Sequence, residues 1–161
     1  MDKKLVIKSE FMHYAIEEAQ SAAAEDEVPV GAVIVKGDRI IAKAHNMVES
    51  LKDPSAHAEM LALKRAAEAT ENKWLSDCVL YVTLEPCAMC AGAIVNFRVG
   101  AVAFGAFDPA AGCCISKYSL LNGRLNNTVP FAGGIEEEKC SQLLSGYFAA
   151  KRQSKSSSKS S

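Results

Sequence analysis

Three residues with the chemistry of metal ligands stand in two short blocks, Asp53-Pro54-Ser55-Ala56-His57-Ala58-Glu59 and Glu85-Pro86-Cys87-Ala88-Met89-Cys90. Cys87 and Cys90 are spaced i and i+3, so on a helix they project one turn apart on the same side. Pro86 suits the first position of that helix, where the N–H it lacks would have no partner. A helix N-terminus favours negative charge and draws thiols toward thiolates, the form that binds metal. Two thiolates and the His57 imidazole suit zinc better than magnesium or calcium. One Zn2+ per chain on three protein ligands leaves a tetrahedral corner for water, the arrangement of a catalytic site. Zinc there would bring the pKa of water from 15.7 to about 7 and supply hydroxide at neutral pH. Glu59 is too near His57 in sequence to share its ligand face, and is expected to carry protons beside the metal. A redox Cys-x-x-Cys would leave His57 and Glu59 without a task. A closed structural zinc site would need a fourth ligand from Cys113, Cys114 or His45.

These blocks need a scaffold. Met12, Ala15, Ile16, Ala19, Ala22 and Ala23 recur at helical spacing, opposite Glu17, Glu18 and Gln20, and predict a helix ending before Val28-Pro29. Residues 30–35 and 39–44 read as a hairpin turning at Gly37-Asp38. Polar 46–55 predicts a loop, and 56–69 a helix. A buried strand over 78–84, a short helix over 87–96 and a strand over 101–104 follow. Links this short between strand, helix and strand imply parallel pairing. Residues 105–130 carry Gly, Pro and Asn punctuation, with one short helix expected near 116–121. The last helix, 135–152, has apolar Cys140, Leu143, Leu144, Tyr147 and Phe148, acids Glu136 to Glu138 first, and Lys151 and Arg152 last, as its dipole favours. The expected architecture is an α/β fold, a three-layer α/β/α sandwich with a mixed central sheet.

At 161 residues, 49% hydrophobic and 23% charged, the composition is that of one globular domain. That domain is expected over 1–152. The Ser/Lys-rich run 153–161 offers no apolar side chain to bury and is expected to be a disordered tail. No apolar run approaches the roughly 18 residues of a transmembrane helix. Met1-Asp2-Lys3-Lys4 is not followed by the apolar stretch of a signal peptide. No membrane association is therefore expected, and a cytoplasmic or other reducing compartment is. A domain this large does not need its six cysteines for disulfides. Cys78 and Cys140 fall on apolar faces and are expected in the core, with Cys113 and Cys114 packed under a loop. His13 is expected in solvent, and His45 is a candidate for the site's edge. Four of the 18 bases and none of the 19 acids lie in 151–161, leaving 14 bases against 19 acids elsewhere. A nucleic-acid partner would therefore meet a local basic patch, not a generally basic surface.

His-x-Glu followed by Pro-Cys-x-x-Cys is the signature of zinc nucleobase deaminases, with the Glu as acid/base and not a ligand. The likeness extends further. Val28-Pro29-Val30-Gly31-Ala32-Val33, Asn46, the block 53–59, the block 80–93 and Phe104-Gly105-Ala106 resemble the tRNA-specific adenosine deaminase (TadA-type) family in order and spacing, from about Phe11 to Arg152. The resemblance implies a cytidine-deaminase-like fold, a homodimer, and hydrolysis of adenosine to inosine at the wobble position of a tRNA anticodon stem-loop. It implies His57, Cys87 and Cys90 on zinc, and Glu59 passing protons while water attacks adenine C6 and ammonia leaves. It places Pro29, Val30, Asn46 and Ala58 around the target nucleoside and Asp108 near a flanking nucleotide. Tyr147, Phe148, Lys151 and Arg152 would meet the anticodon loop. Met47, Phe107, Cys113, Cys114 and Ala149 depart from the family's usual residues at positions bearing on RNA, not on metal. Deamination of a free base or nucleoside, and a zinc-bearing RNA-binding subunit without turnover, are the competing functions; an intact Glu59 argues against the latter.

Overall fold

The computed structural model describes residues 5–159, with side chains through residue 155. Three strands, β1 (Gly31–Lys36), β3 (Cys78–Leu84) and β4 (Ala101–Ala106), are apolar along almost their whole length. A strand reads this way when both faces of its sheet are covered. Here Ala32, Ile34, Leu80, Val82, Val102 and Phe104 point into one core, and Val33, Val35, Val79, Tyr81, Ala101 and Ala103 into the other. The first core is closed by α3 (Ala58–Thr70) and α4 (Ala88–Asn96), through Ala62, Leu63, Ala66, Ala91 and Ile94. The second is closed by α1 (Met12–Ala24) and α5 (Glu137–Lys159), through Met12, Ala15, Ile16 and Cys140. The fold is the expected α/β three-layer sandwich.

The sheet order is β2-β1-β3-β4-β5, with β2 at Arg39–His45 and β5 at Phe131–Ala132. β1 pairs antiparallel with both β2 and β3, whereas β3, β4 and β5 are parallel. The antiparallel turn-back brings the start of β1 beside the end of β3, and the end of β3 leads directly into α4. Chain reversal and helix start therefore meet at one edge of the sandwich. The remaining helix, α2 (Val48–Leu51), is a single turn in the segment expected to be loop.

Two further expectations are corrected. Residues 116–121 are not helical but belong to an irregular loop. The turn at 114–116 wraps around Glu85, and beyond it the N–H groups of Lys117 and Tyr118 reach back to the Gly112 carbonyl and that of Leu120 to Cys113, further than helical spacing. The last helix does not end at Arg152. It continues through part of the run expected to be disordered, to Lys159. Extending a formed helix costs far less than starting one, and lysines near a C-terminus suit its dipole. Residues 160 and 161 lie outside the described part. The cysteine expectations hold, with Cys78, Cys113, Cys114 and Cys140 all buried.

Helix α1 passes close against the sheet at Gly31. A Cβ there would lie 2.0 Å from the Ala15 carbonyl oxygen and 2.5 Å from the Ala19 nitrogen, both backbone atoms that cannot turn aside. Gly31→Ala is expected to push α1 off the sheet and lower stability by about 3 kcal/mol, the upper part of the range for overpacking. Denaturant unfolding with an unchanged slope and a lower midpoint is the result that checks it.

Candidate active site

His57 and Cys87 are the extended N-cap residues of α3 and α4. Extended N-caps end two helices at the same edge of the sheet and aim both side chains across the gap between them. His57 Nδ1 lies 3.6 Å from Cys87 Sγ and 3.6 Å from Cys90 Sγ. All three ligand atoms fall within 4.8 Å of one another. Zinc bonded at ordinary lengths in tetrahedral geometry holds a nitrogen and a sulfur ligand about 3.6 Å apart, so the donor set fits the ion. The electrostatics agree with the geometry. A hydrogen bond from Cys90, aided by His57, lowers the Cys87 thiol to about 4 despite its partial burial. Cys90, the donor of that bond and fully buried, is raised. The hydrogen bond to Cys87 raises His57. Two sulfurs sharing a proton beside an imidazole are a set that a dication can displace protons from.

Glu59 sits in the first turn of α3, 4% exposed, and burial holds its carboxyl above the usual range. It faces the same gap without being part of the donor cluster. The gap opens into a cleft of about 310 Å³, within the range of small-molecule sites. Val30, Asn46, Ala58 and Asp108, all expected around a substrate, line it. Asn46 is held by its amide donating to the Val28 carbonyl and its side-chain oxygen accepting from Val48 N–H, each at 3.4 Å. Pro29 is buried behind Val28 and Val30 and does not line the cleft. Phe148, 43% exposed, and Arg152, also exposed, stand outside it. His45 is absent from the lining too; its ring nitrogens meet Glu18 at 3.3 Å and Glu25 at 2.8 Å. His13 is exposed, as expected.

Of the two aromatics expected at the anticodon loop, Tyr147 and not its neighbour Phe148 forms the wall contributed by α5, and the buried acids Glu27 and Glu85 were not foreseen in the cleft. The Tyr147 hydroxyl donates to the Asp26 carbonyl at 3.3 Å, Lys151 pairs with the Asp26 carboxylate, and the Lys151 ammonium lies 5.6 Å from the Tyr147 ring. Glu27, fully buried, accepts the N–H groups of Glu49 and Ser50 at 2.9 and 2.6 Å and so caps α2. Burial pushes its carboxyl up, but these bonds outweigh it and hold the group below its ordinary value. Glu85, likewise buried, receives donors from a loop far along the chain. Nothing in the acidic run 25–27 marks Glu27 as buried. The one signal for Glu85 was an acid closing an otherwise apolar strand.

A family model for the cytidine and deoxycytidylate deaminase zinc-binding region matches residues 6–106. The chain belongs to this deaminase family. Within it, the chain is 46% identical over 146 residues to the tRNA-specific adenosine deaminase of Bacillus subtilis (strain 168), covering 90% of this deaminase and 91% of the relative. It superposes with a TM-score of 0.82 and 38% identity on a structure from work on A-to-I editing by tRNA:A34 deaminases, covering 85% of this chain and all of that one. A guanine deaminase from Nitrosomonas europaea superposes with a TM-score of 0.79 at 25% identity, over 90% of this chain and 86% of that one. No helix among the described residues of this deaminase is long and apolar enough to cross a membrane.

Proposed function

We propose that this chain is a zinc-dependent hydrolase that converts adenosine to inosine at the wobble position, 34, of a tRNA anticodon. The observation that carries the reading is a buried carboxylate, Glu59, facing a cleft beside a three-donor cluster with no fourth protein ligand among the described residues. Near-full-length likeness to named tRNA adenosine deaminases supports the substrate. His57, Cys87 and Cys90 hold the metal. Zinc, when bound, supplies a Lewis acid that makes a water molecule a competent nucleophile near neutral pH. Glu59 takes the proton of the attacking water and delivers it to adenine N1. It then takes the proton of the hydroxyl now on C6 and passes it to the exocyclic amine, so that the C6–N bond breaks, ammonia leaves and the C6 carbonyl of inosine forms. The carboxyl's raised affinity for protons suits a group that must both accept and return one.

Val30, Asn46 and Ala58 surround the base, and Asp108 meets a flanking nucleotide. Pro29 backs Val30 from behind the cleft wall. Phe148 and Arg152 act further out, on the face of α5 exposed beyond Tyr147, where an aromatic ring and a cation can hold a looped strand. An anticodon loop presents its base unpaired, which lowers the cost of unstacking it to reach C6. The working enzyme is a homodimer of the cytoplasm, acting on the anticodon stem-loop.

The likeness to a guanine deaminase favours a second reading, hydrolysis of a free nucleobase. Zinc-loaded protein given an A34 anticodon stem-loop, and separately free guanine, decides between them. Inosine at position 34 with equimolar ammonia, and none from guanine, is expected. Ammonia from guanine with an unaltered stem-loop overturns the tRNA reading.

A further inference from the structure

Glu85 is an acid in an apolar setting, 1% exposed, with no cation paired to it among the described residues. A carboxylate survives there only if dipoles replace the lost water. They come from one loop. Oε2 accepts the successive N–H groups of Cys114, Ile115 and Ser116 at 3.1, 2.8 and 2.9 Å. Oε1 accepts Asp108 N–H at 3.0 Å and the Ser116 hydroxyl at 2.5 Å. Consecutive N–H groups curled around an anion form a nest; here the anion is a side chain of the same protein. The loop has been shaped to reach it. A Cβ on Gly112 would lie 2.3 Å from the Glu85 carboxyl carbon, so only glycine lets the chain pass. Cys113 N–H also donates to the Pro86 carbonyl at 2.8 Å. The loop is thus tied at both ends to the dipeptide that precedes the metal ligand Cys87, and it contributes Asp108 and Ala111 to the cleft wall.

We propose that Glu85 is a positioning residue that fixes the 108–116 loop as the RNA-facing wall of the cleft and thereby governs capture of the stem-loop, not the chemical step. The inference rests on the tRNA reading above, because the quantity it governs is affinity for that RNA. The carboxylate touches neither Glu59 nor the donor cluster in any bond above, so its effect passes through the loop alone.

Glu85→Gln preserves shape but removes the charge and turns an amide NH2 toward N–H groups that need an acceptor. It is expected to keep one zinc per chain. Its KM for the stem-loop should rise about tenfold with kcat within about threefold of wild type. Exposed Lys117 lies at the end of this loop, so native-state trypsin cleavage after it should quicken by about tenfold. Gly112→Ala attacks the same contact from the loop side and should reproduce all three results. The double variant should be no worse than either single one, since both remove one interaction. Wild-type trypsin rates at Lys117, a fall in kcat at unchanged KM, or loss of zinc from both variants overturns the proposal. If Glu85→Gln does not fold, Gly112→Ala decides on the same readouts. A wild-type protein that leaves the stem-loop unaltered sinks the tRNA reading instead, and the trypsin comparison then rules on the loop by itself.

Discussion

Glu59→Gln is expected to retain one zinc per chain while deamination falls by at least about 10³-fold, roughly 4 kcal/mol of transition-state stabilisation. The substitution keeps volume and shape at a site only 4% exposed, so the metal cluster should not notice it. What vanishes is the carboxyl beside the donor cluster, and among the described residues the other acids of the cleft are poor substitutes: Glu49 is exposed on α2, and the rest are committed to backbone donors. Glu27 holds Glu49 and Ser50, Glu85 holds the 114–116 turn, and the Asp108 carboxylate accepts the N–H groups of Ala110 and Ala111 at 3.2 Å. None can take over without dismantling its own segment. Metal analysis alongside ammonia release from the stem-loop reads both halves. Turnover within tenfold of wild type would remove Glu59 from the proton path.

The parts of this molecule that could be read from its sequence are those where neighbouring residues carry the signal. Strands buried on both faces appear as runs such as Val79 to Val82, and the metal ligands sit at helix starts because Pro86 and the apolar residues after it define where α4 begins. The 116–121 segment failed for the opposite reason. Tyr118 and Leu121 have helical spacing, but the turn before them is wrapped around Glu85, 31 positions before Ser116, and the N–H groups of Lys117, Tyr118 and Leu120 pair back to Gly112 and Cys113 instead of at helical spacing. No local pattern contains that contact. The choice of Tyr147 over Phe148 is a matter of about 100° of helix rotation between neighbours. It is settled by Asp26, whose carbonyl and carboxylate anchor Tyr147 and Lys151 from the far end of α1. At the C-terminus, composition argued for disorder, yet helix propagation from a well-packed first half carries the backbone to Lys159.

Cys87→Ala should leave the chain folded, and nearly free of zinc and activity. The two cores that hold the sandwich together do not include Cys87, which is partly exposed at its helix N-cap. Removing it therefore costs little packing. It does take away the thiolate most ready to bind, the one lowered to about 4. The remaining imidazole and Cys90 make two ligands, too few for a tight tetrahedral site. Zinc occupancy is expected below about 0.1 per chain after dialysis against a mild chelator, because metal affinity is strongly ligand-count dependent. Stability should follow by linkage: an ion bound at a thousandfold excess over its dissociation constant adds about 4 kcal/mol to the folded state. For a chain of this size that is a loss of roughly 10 °C in Tm. The decisive control is the wild-type protein stripped of metal, which should melt where the variant melts and regain the difference with zinc, as the variant cannot. Full metal content in Cys87→Ala would mean that another side chain closes the site, and the open corner on which hydrolysis depends would be gone.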